Sequence, residues 1–289
     1  MLINKYDFSF VGGDMRQVYM INELLAIGYS VTSYGLENPI LDNRCIAASS
    51  LKEAVISGKT IITPIPISKD GIHIQSSSGM EIKLDEFLNL LTLSHQVFGG
   101  CFLPSMTSYL MEKGISYEDF MEVEEIILYN SIATAEGTIA KAIISSTINL
   151  HDSRALILGF GRCARTLAHK LKSLCKEVDI SARSKVQSAA AYTSSFGTIP
   201  FDKLEENISK YDFIFNTIPS LVVTKEILDR TQEQVVIIDI ASAPGGVDFS
   251  YAKEISRYAE LYLGIPGKVS PKSSATFLNH YLLEQIRKK

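Results

Sequence analysis

The stretch Arg154-Ala155-Leu156-Ile157-Leu158 is an apolar run. It meets Gly159-Phe160-Gly161-Arg162-Cys163-Ala164, and a helical pattern follows to about Leu171. Two glycines one residue apart, with a small residue three positions on, have a chemical meaning in a strand, turn and helix context. The first permits a tight turn. The second lets the backbone approach a pyrophosphate, and Ala164 lets helix and strand pack closely. The helix N-terminus then turns unpaired N–H groups and a positive dipole end toward phosphate. Gly159, Phe160, Gly161, Arg162 and Cys163 are therefore candidate dinucleotide-binding residues.

The next strand discriminates the cofactor. NAD-binding units carry an acid at its end for the ribose 2′-hydroxyl. Asp179 has nearly that spacing but sits early in the strand Val178–Ser181, whose end reads Ala182-Arg183-Ser184-Lys185. A guanidinium binds phosphate through paired hydrogen bonds. Arg183 with Ser184 thus suits a 2′-phosphate, and NADP is expected over NAD. Later strand ends, Asn216-Thr217-Ile218-Pro219-Ser220 and Ile240-Ala241-Ser242-Ala243-Pro244-Gly245-Gly246, should also line the cofactor. Thr217, Ile218, Pro219, Ala241 and Ser242 are candidates there, although ordinary turn chemistry explains such residues equally well.

Three other segments carry polar groups suited to a substrate. In Phe10-Val11-Gly12-Gly13-Asp14-Met15-Arg16-Gln17, a carboxylate at the turn would oppose a pyrophosphate, so this turn is not expected to hold a nucleotide. Asp14 either caps the helix or takes a proton. Arg16 either binds a substrate carboxylate or is surface charge. In residues 130–138, Ser131 and Thr134 are substrate-binding candidates and Glu136 a catalytic one. The alternatives are a helix cap for Asn130 or Ser131 and a first-turn acid for Glu136. Lys272 follows Pro271 just before the last helix, where the dipole disfavours a cation. It is both a catalytic and a substrate-binding candidate. None of the five histidines falls in these motifs.

Strands alternating with helical patterns must position these residues. Before residue 130 the strands are Phe8–Val11, Tyr29–Tyr34, Thr60–Thr63 and Val97–Cys101. Helices are expected over 14–27 and 105–113, with Ser116 capping the next. A helix over Asn130–Asn149 connects to the second half, whose later strands are Phe213–Phe215 and Val235–Asp239. The pattern predicts an α/β protein of two Rossmann-like, doubly wound parallel-sheet domains with a cleft between them. The substrate-side domain is 1–129, rejoined by a last helix, about Ser273 to Lys288 within 271–289. The NADP-binding domain is 130–270.

Composition sets the bounds. Of 289 residues, 46% are hydrophobic and 21% charged, and the net charge of -4 gives no electrostatic reason to expect nucleic acid or an anionic membrane. No apolar run is long enough to span a bilayer, and the N-terminus lacks the features of a signal peptide. Cys45, Cys101, Cys163 and Cys175 are too scattered for a CxxC or zinc pattern, so free thiols in the cytoplasm and no metal are expected.

Taken together, VGGDMRQ, YNSIATAEGTIAKAI, LILGFGRCARTLA, SARS, FNTIPS, DIASAPGGVDF and GIPGKVSPKSSA resemble the dipicolinate synthase A subunits, in order over nearly the whole chain. The resemblance implies an NADP-dependent enzyme of bacterial spore formation, in the mother-cell cytoplasm. It would oxidise a dihydrodipicolinate, formed from 4-hydroxytetrahydrodipicolinate of the lysine pathway, to dipicolinate. A flavoprotein-like B subunit is the implied partner, and a homo-oligomer is expected. Two carboxylates would then need cations, for which Arg16 and Lys272 are candidates, and Asp14 or Glu136 would take the proton. The alternatives are a non-catalytic NADP-binding regulatory subunit or another NADP-dependent small-acid dehydrogenase. A more distant likeness to 2-hydroxyacid dehydrogenases lacks their key groups. Ala243 stands where their Arg belongs and Lys272 where their His follows Pro, with Thr276 retained. The Lys–Asp pair of a shikimate-type reductase is not evident either.

Overall fold

A computed structural model of the chain describes residues 5–288; the parts of the expected domains that reach residues 1–4 and 289 lie outside the described residues. The chain divides into two compact units, Met1–Tyr129 with Ser270–Lys289, and Asn130–Val269.

The first unit runs β1 (Tyr6–Val11), α1 (Met15–Ala26), β2 (Val31–Tyr34), β3 (Ile46–Ala47), α2 (Leu51–Ser57), β4 (Gly58–Ile62), β5 (His73–Ile74), β6 (Ile82–Lys83), α3 (Leu84–Leu90), β7 (Gln96–Gly99), α4 (Pro104–Glu112) and β8 (Ser116–Asp119). Helix α5 (Glu124–Ser145) carries the chain into the second unit. There follow β9 (Arg154–Leu158), α6 (Arg162–Leu171), β10 (Glu177–Ala182), α7 (Lys185–Thr193), β11 (Gly197–Pro200), α8 (Leu204–Asn207), β12 (Phe213–Asn216), α9 (Lys225–Asp229), β13 (Val236–Asp239), α10 (Phe249–Glu254), β14 (Tyr258–Leu261) and α11 (Ile265–Val269). Helix α12 (Pro271–Arg287) belongs to the first unit.

Each unit holds a six-stranded sheet, ordered β3-β2-β1-β4-β7-β8 and β11-β10-β9-β12-β13-β14. The pairings within both are parallel. Counted along each sheet, both orders read 3-2-1-4-5-6, the dinucleotide-fold order with its switch point beside the first strand. Strands of such a sheet are buried on both faces, so they read as continuous apolar runs. Alternate residues of β9 serve alternate faces. Ala155 and Ile157 pack with Leu167, Leu171 and Ala191, whereas Leu156 and Leu158 pack with Leu204, Leu228 and Ala252.

Several boundaries differ from the sequence pattern. Helix α5 starts at Glu124, led by Glu124 and Glu125, six residues before Asn130. Asn130 and Ser131 are therefore not its cap, and Glu136 is not in its first turn. Ser116 opens β8 rather than capping a helix. The last helix begins at Pro271, which puts Lys272 inside its first turn rather than before it. Helix α12 runs antiparallel to α1: Asn279 Nδ2 donates to the Met20 carbonyl at 3.0 Å, and Thr276 Oγ1 to Glu23 Oε1 at 2.6 Å. Among the described residues, no helix is long and apolar enough to cross a membrane.

Candidate cofactor site

The glycine turn follows the last buried residue of β9. Gly159 has φ +94°, and a Cβ there would stand 2.5 Å from Thr217 Oγ1. Only glycine adopts this conformation readily in so little room. Thr217 is fixed in turn, since its N–H and Oγ1 both donate to the Leu158 carbonyl, at 3.0 and 2.7 Å. Gly161 differs. It is the N-cap of α6, supplies no side-chain cap, and a Cβ on it would meet nothing within 4 Å. The glycine there is not required by a protein neighbour. It leaves open the space into which a phosphate fits at a helix N-terminus.

Phe160 contributes backbone, not side chain. Its ring is buried against Phe196, with ring centroids 5.8 Å apart. Its N–H donates to Gln187 Oε1 at 3.3 Å. Burial pushes the Cys163 thiol up, which keeps it neutral and unreactive near pH 7.

Asp179 is taken up by its own neighbours. It is 4% exposed, and its carboxylate accepts the Tyr211 hydroxyl at 2.5 Å with Lys210 Nζ at 3.5 Å. The strand end is left to Arg183. Ser184 caps α7, accepting the Gln187 N–H at 3.4 Å. Beside them lies a pocket of about 650 Å³, lined by Arg183, Lys185, Ser188, Ile199, Pro200 and Asp202. The open turn at the N-terminus of α6 fits the pyrophosphate of a nicotinamide dinucleotide. Gln187 was missed from the sequence, although Ser184 followed three residues later by Gln187 has the spacing of a capping box.

The other strand ends in the second unit are orderly. Ile218 and Ala241 are buried, while Pro219 and Ser242 are exposed. Ser131 and Glu136 face α6: Ser131 Oγ lies 2.7 Å from Thr166 Oγ1, and Glu136 Oε1 accepts Lys170 Nζ at 2.9 Å. Thr134 Oγ1 bonds the Asn130 carbonyl at 2.8 Å, back along its own helix.

In the first unit the corresponding turn is closed. Asp14 is the N-cap of α1 in a capping box with Gln17. Arg16 lies against it, with Nη2 2.6 Å from Asp14 Oδ2 and a further bond from Nη2 to the Ile65 carbonyl. At 6% exposure, Arg16 is not the surface charge that one reading allowed. Its guanidinium is already largely engaged, which weakens its case as the carboxylate ligand. Lys272 sits near the far end of α1, because α12 is antiparallel to it. The structure does not bring Arg16 and Lys272 to a common point.

Comparison with known proteins finds two family models along the chain. Residues 7–121 match the model of the N-terminal domain of the dipicolinate synthase A subunit, and residues 138–256 that of shikimate / quinate 5-dehydrogenase. The chain is 30% identical over 288 residues to the dipicolinate synthase A subunit of Bacillus subtilis, covering 95% of this chain and 93% of that protein. This chain belongs to the family of dipicolinate synthase A subunits. The crystal structure of the Bacillus halodurans family member superposes with a TM-score of 0.86 at 27% identity, covering 99% of this chain and 98% of that one. The transhydrogenase of Sinorhizobium meliloti shares the fold alone, with a TM-score of 0.67 at 12% identity over 96% of this chain and 94% of that one. The shikimate-type match covers residues 138–256, the segment that holds the glycine turn.

Proposed function

We propose that this chain is the NADP-dependent dehydrogenase subunit of a dipicolinate synthase. It would oxidise a dihydrodipicolinate, formed from 4-hydroxytetrahydrodipicolinate by loss of water, to dipicolinate. The observation that carries the reading is the uncapped Gly161 turn, with Arg183 at the end of β10 and Asp179 tied to Tyr211, in a chain of this family.

Backbone amides of the first turn of α6 would hold the pyrophosphate. Arg183 and Lys185 would hold the 2′-phosphate, and the loops 217–220 and 241–246 would orient the nicotinamide half. When bound, NADP supplies the acceptor for the electron pair that leaves as the ring becomes aromatic. Two electrons and two protons leave the ring in all, one proton with the electron pair and one to a base or to water. Lys272 is exposed, but α12 sets it near the end of α1 remote from Asp14, so the two do not serve one small substrate together and Lys272 has no part in this scheme. Asp14, with its side chain 44% exposed, is our proton acceptor. Glu136 is tied to Lys170, and Ser131 and Thr134 to α5 and α6, so they have no part in this scheme. The family is named for one component of an enzyme, and we infer that a second component is the partner.

The test is turnover. The purified chain is mixed with NADP and enzymatically made hydroxytetrahydrodipicolinate, and NADPH absorbance and dipicolinate are followed together. Matched growth of both signals is expected from the chain alone. Activity only after adding the B subunit would move the reaction to the complex. Silence with both subunits would reject the substrate.

A further inference from the structure

Asn216 and Asp239 end the neighbouring strands β12 and β13, are direct partners in the sheet register, and are both fully buried. Neither has a part in the scheme above. Asn216 folds back on its own loop: Oδ1 accepts the Ile218 N–H at 3.1 Å and Nδ2 donates to the Ile218 carbonyl at 3.0 Å. The Asp239 carboxylate accepts the Ala241 N–H at 2.9 Å and the Gly246 N–H at 2.6 Å, beside its register partner Asn216. The Gly246 carbonyl accepts the N–H groups of Val222 and Val223, at 2.8 and 2.9 Å. A Cβ on Gly246 would stand 2.5 Å from the carbonyl oxygens of both Ile218 and Ser220. The loops 217–220 and 241–246 are thus knotted together at one carboxylate.

That carboxylate has no cation beside it among the described residues, and burial raises its pKa. A buried charge held only by neutral donors is a poor way to gain stability. What it does provide is a fixed geometry for both loops. In the same place Ser220 Oγ is buried with no hydrogen-bond partner among the described residues. The loops lie at the carboxyl ends of the strands beyond the switch point, in the second mononucleotide half of the fold.

We propose that Asp239, through Asn216 and Gly246, is the positioning residue for the nicotinamide half of the cofactor. The inference rests on the NADP reading above. The hydrogen bonds given for the Asp239 carboxylate all come from backbone N–H groups of the second loop, so its effect is on loop geometry.

Asp239→Asn keeps the size and one acceptor but sets an amide donor against a backbone N–H. The full-length chain and this variant are titrated with NADP and with adenosine 2′,5′-bisphosphate, which has only the half assigned to Arg183 and α6. NADP affinity is expected to fall about tenfold while the bisphosphate changes by less than about twofold, since the lost bonds serve one half only. Should Asp239→Asn fail to fold, Asn216→Ser loosens the same knot with neither a clash nor an added charge and must show the same split. Equal losses for both ligands, or no loss for either, would overturn the positioning role while leaving the NADP site standing. Failure of the unaltered chain to bind either ligand would remove the NADP reading and this inference with it.

Discussion

At the end of β1, Asp14 accepts the Arg16 N–H at 2.8 Å, and Gln17 Oε1 accepts the Asp14 N–H at 2.9 Å. At the end of β9, Gly161 stands in the same place before α6, with no side chain to cap it and nothing within reach of a Cβ. The strand orders are the same, so topology does not make the difference. One turn satisfies its helix N-terminus with its own carboxylate, and the other supplies no side-chain cap, which on our proposal leaves those groups to a ligand's phosphate.

That contrast can be broken by exchanging the residues. Gly161→Asp should close the second turn. NADP affinity is expected to fall at least about 100-fold, because a like charge would face the pyrophosphate. The melting temperature should hold or rise, because the helix gains a cap. Arg183→Ala should weaken NADP about 10- to 100-fold through lost charged hydrogen bonds, and leave NAD nearly unchanged. Paired calorimetric titrations read both.

Gly159→Ala tests the other glycine. With φ +94° and Thr217 Oγ1 in the way, it should destabilise the protein by about 1–3 kcal/mol in denaturant titrations. Gly161→Ala should not. Asp14→Ala should cost about 1 kcal/mol, through the lost cap and the lost Arg16 partner, with NADP affinity intact. A fall in NADP affinity would mean that the first turn is not merely closed.

The smallest effect concerns Asp179. Burial first, and then the Asp179 carboxylate, push the Tyr211 hydroxyl well above its usual value. The unfolded chain therefore ionises this group first, and stability should decline as pH rises past about 10. Tyr211→Phe should lack that decline, cost about 1 kcal/mol at neutral pH and leave the NADP to NAD preference unchanged. A shift toward NAD would mean that Tyr211 withholds an acid the cofactor could otherwise use.

The glycine turn and its strands were legible because central parallel strands are continuous apolar runs. The edge strands β11 and β14 were not, because both are largely half-exposed and carry no such run. Acids at Glu124 and Glu125 marked the true start of α5, but the polar run from Asn130 looked more like a cap. The pairs Arg16 with Asp14, Glu136 with Lys170 and Asp179 with Tyr211 decide which charges remain available. Two of the three join residues more than 30 positions apart, and no local spacing announces such partners.

The most direct test of one closed and one open turn is the stoichiometry of cofactor binding. Calorimetric titration of the full-length chain should give one NADP per chain, bound more tightly than NAD. Two per chain, tighter NAD, or no binding at all would contradict it.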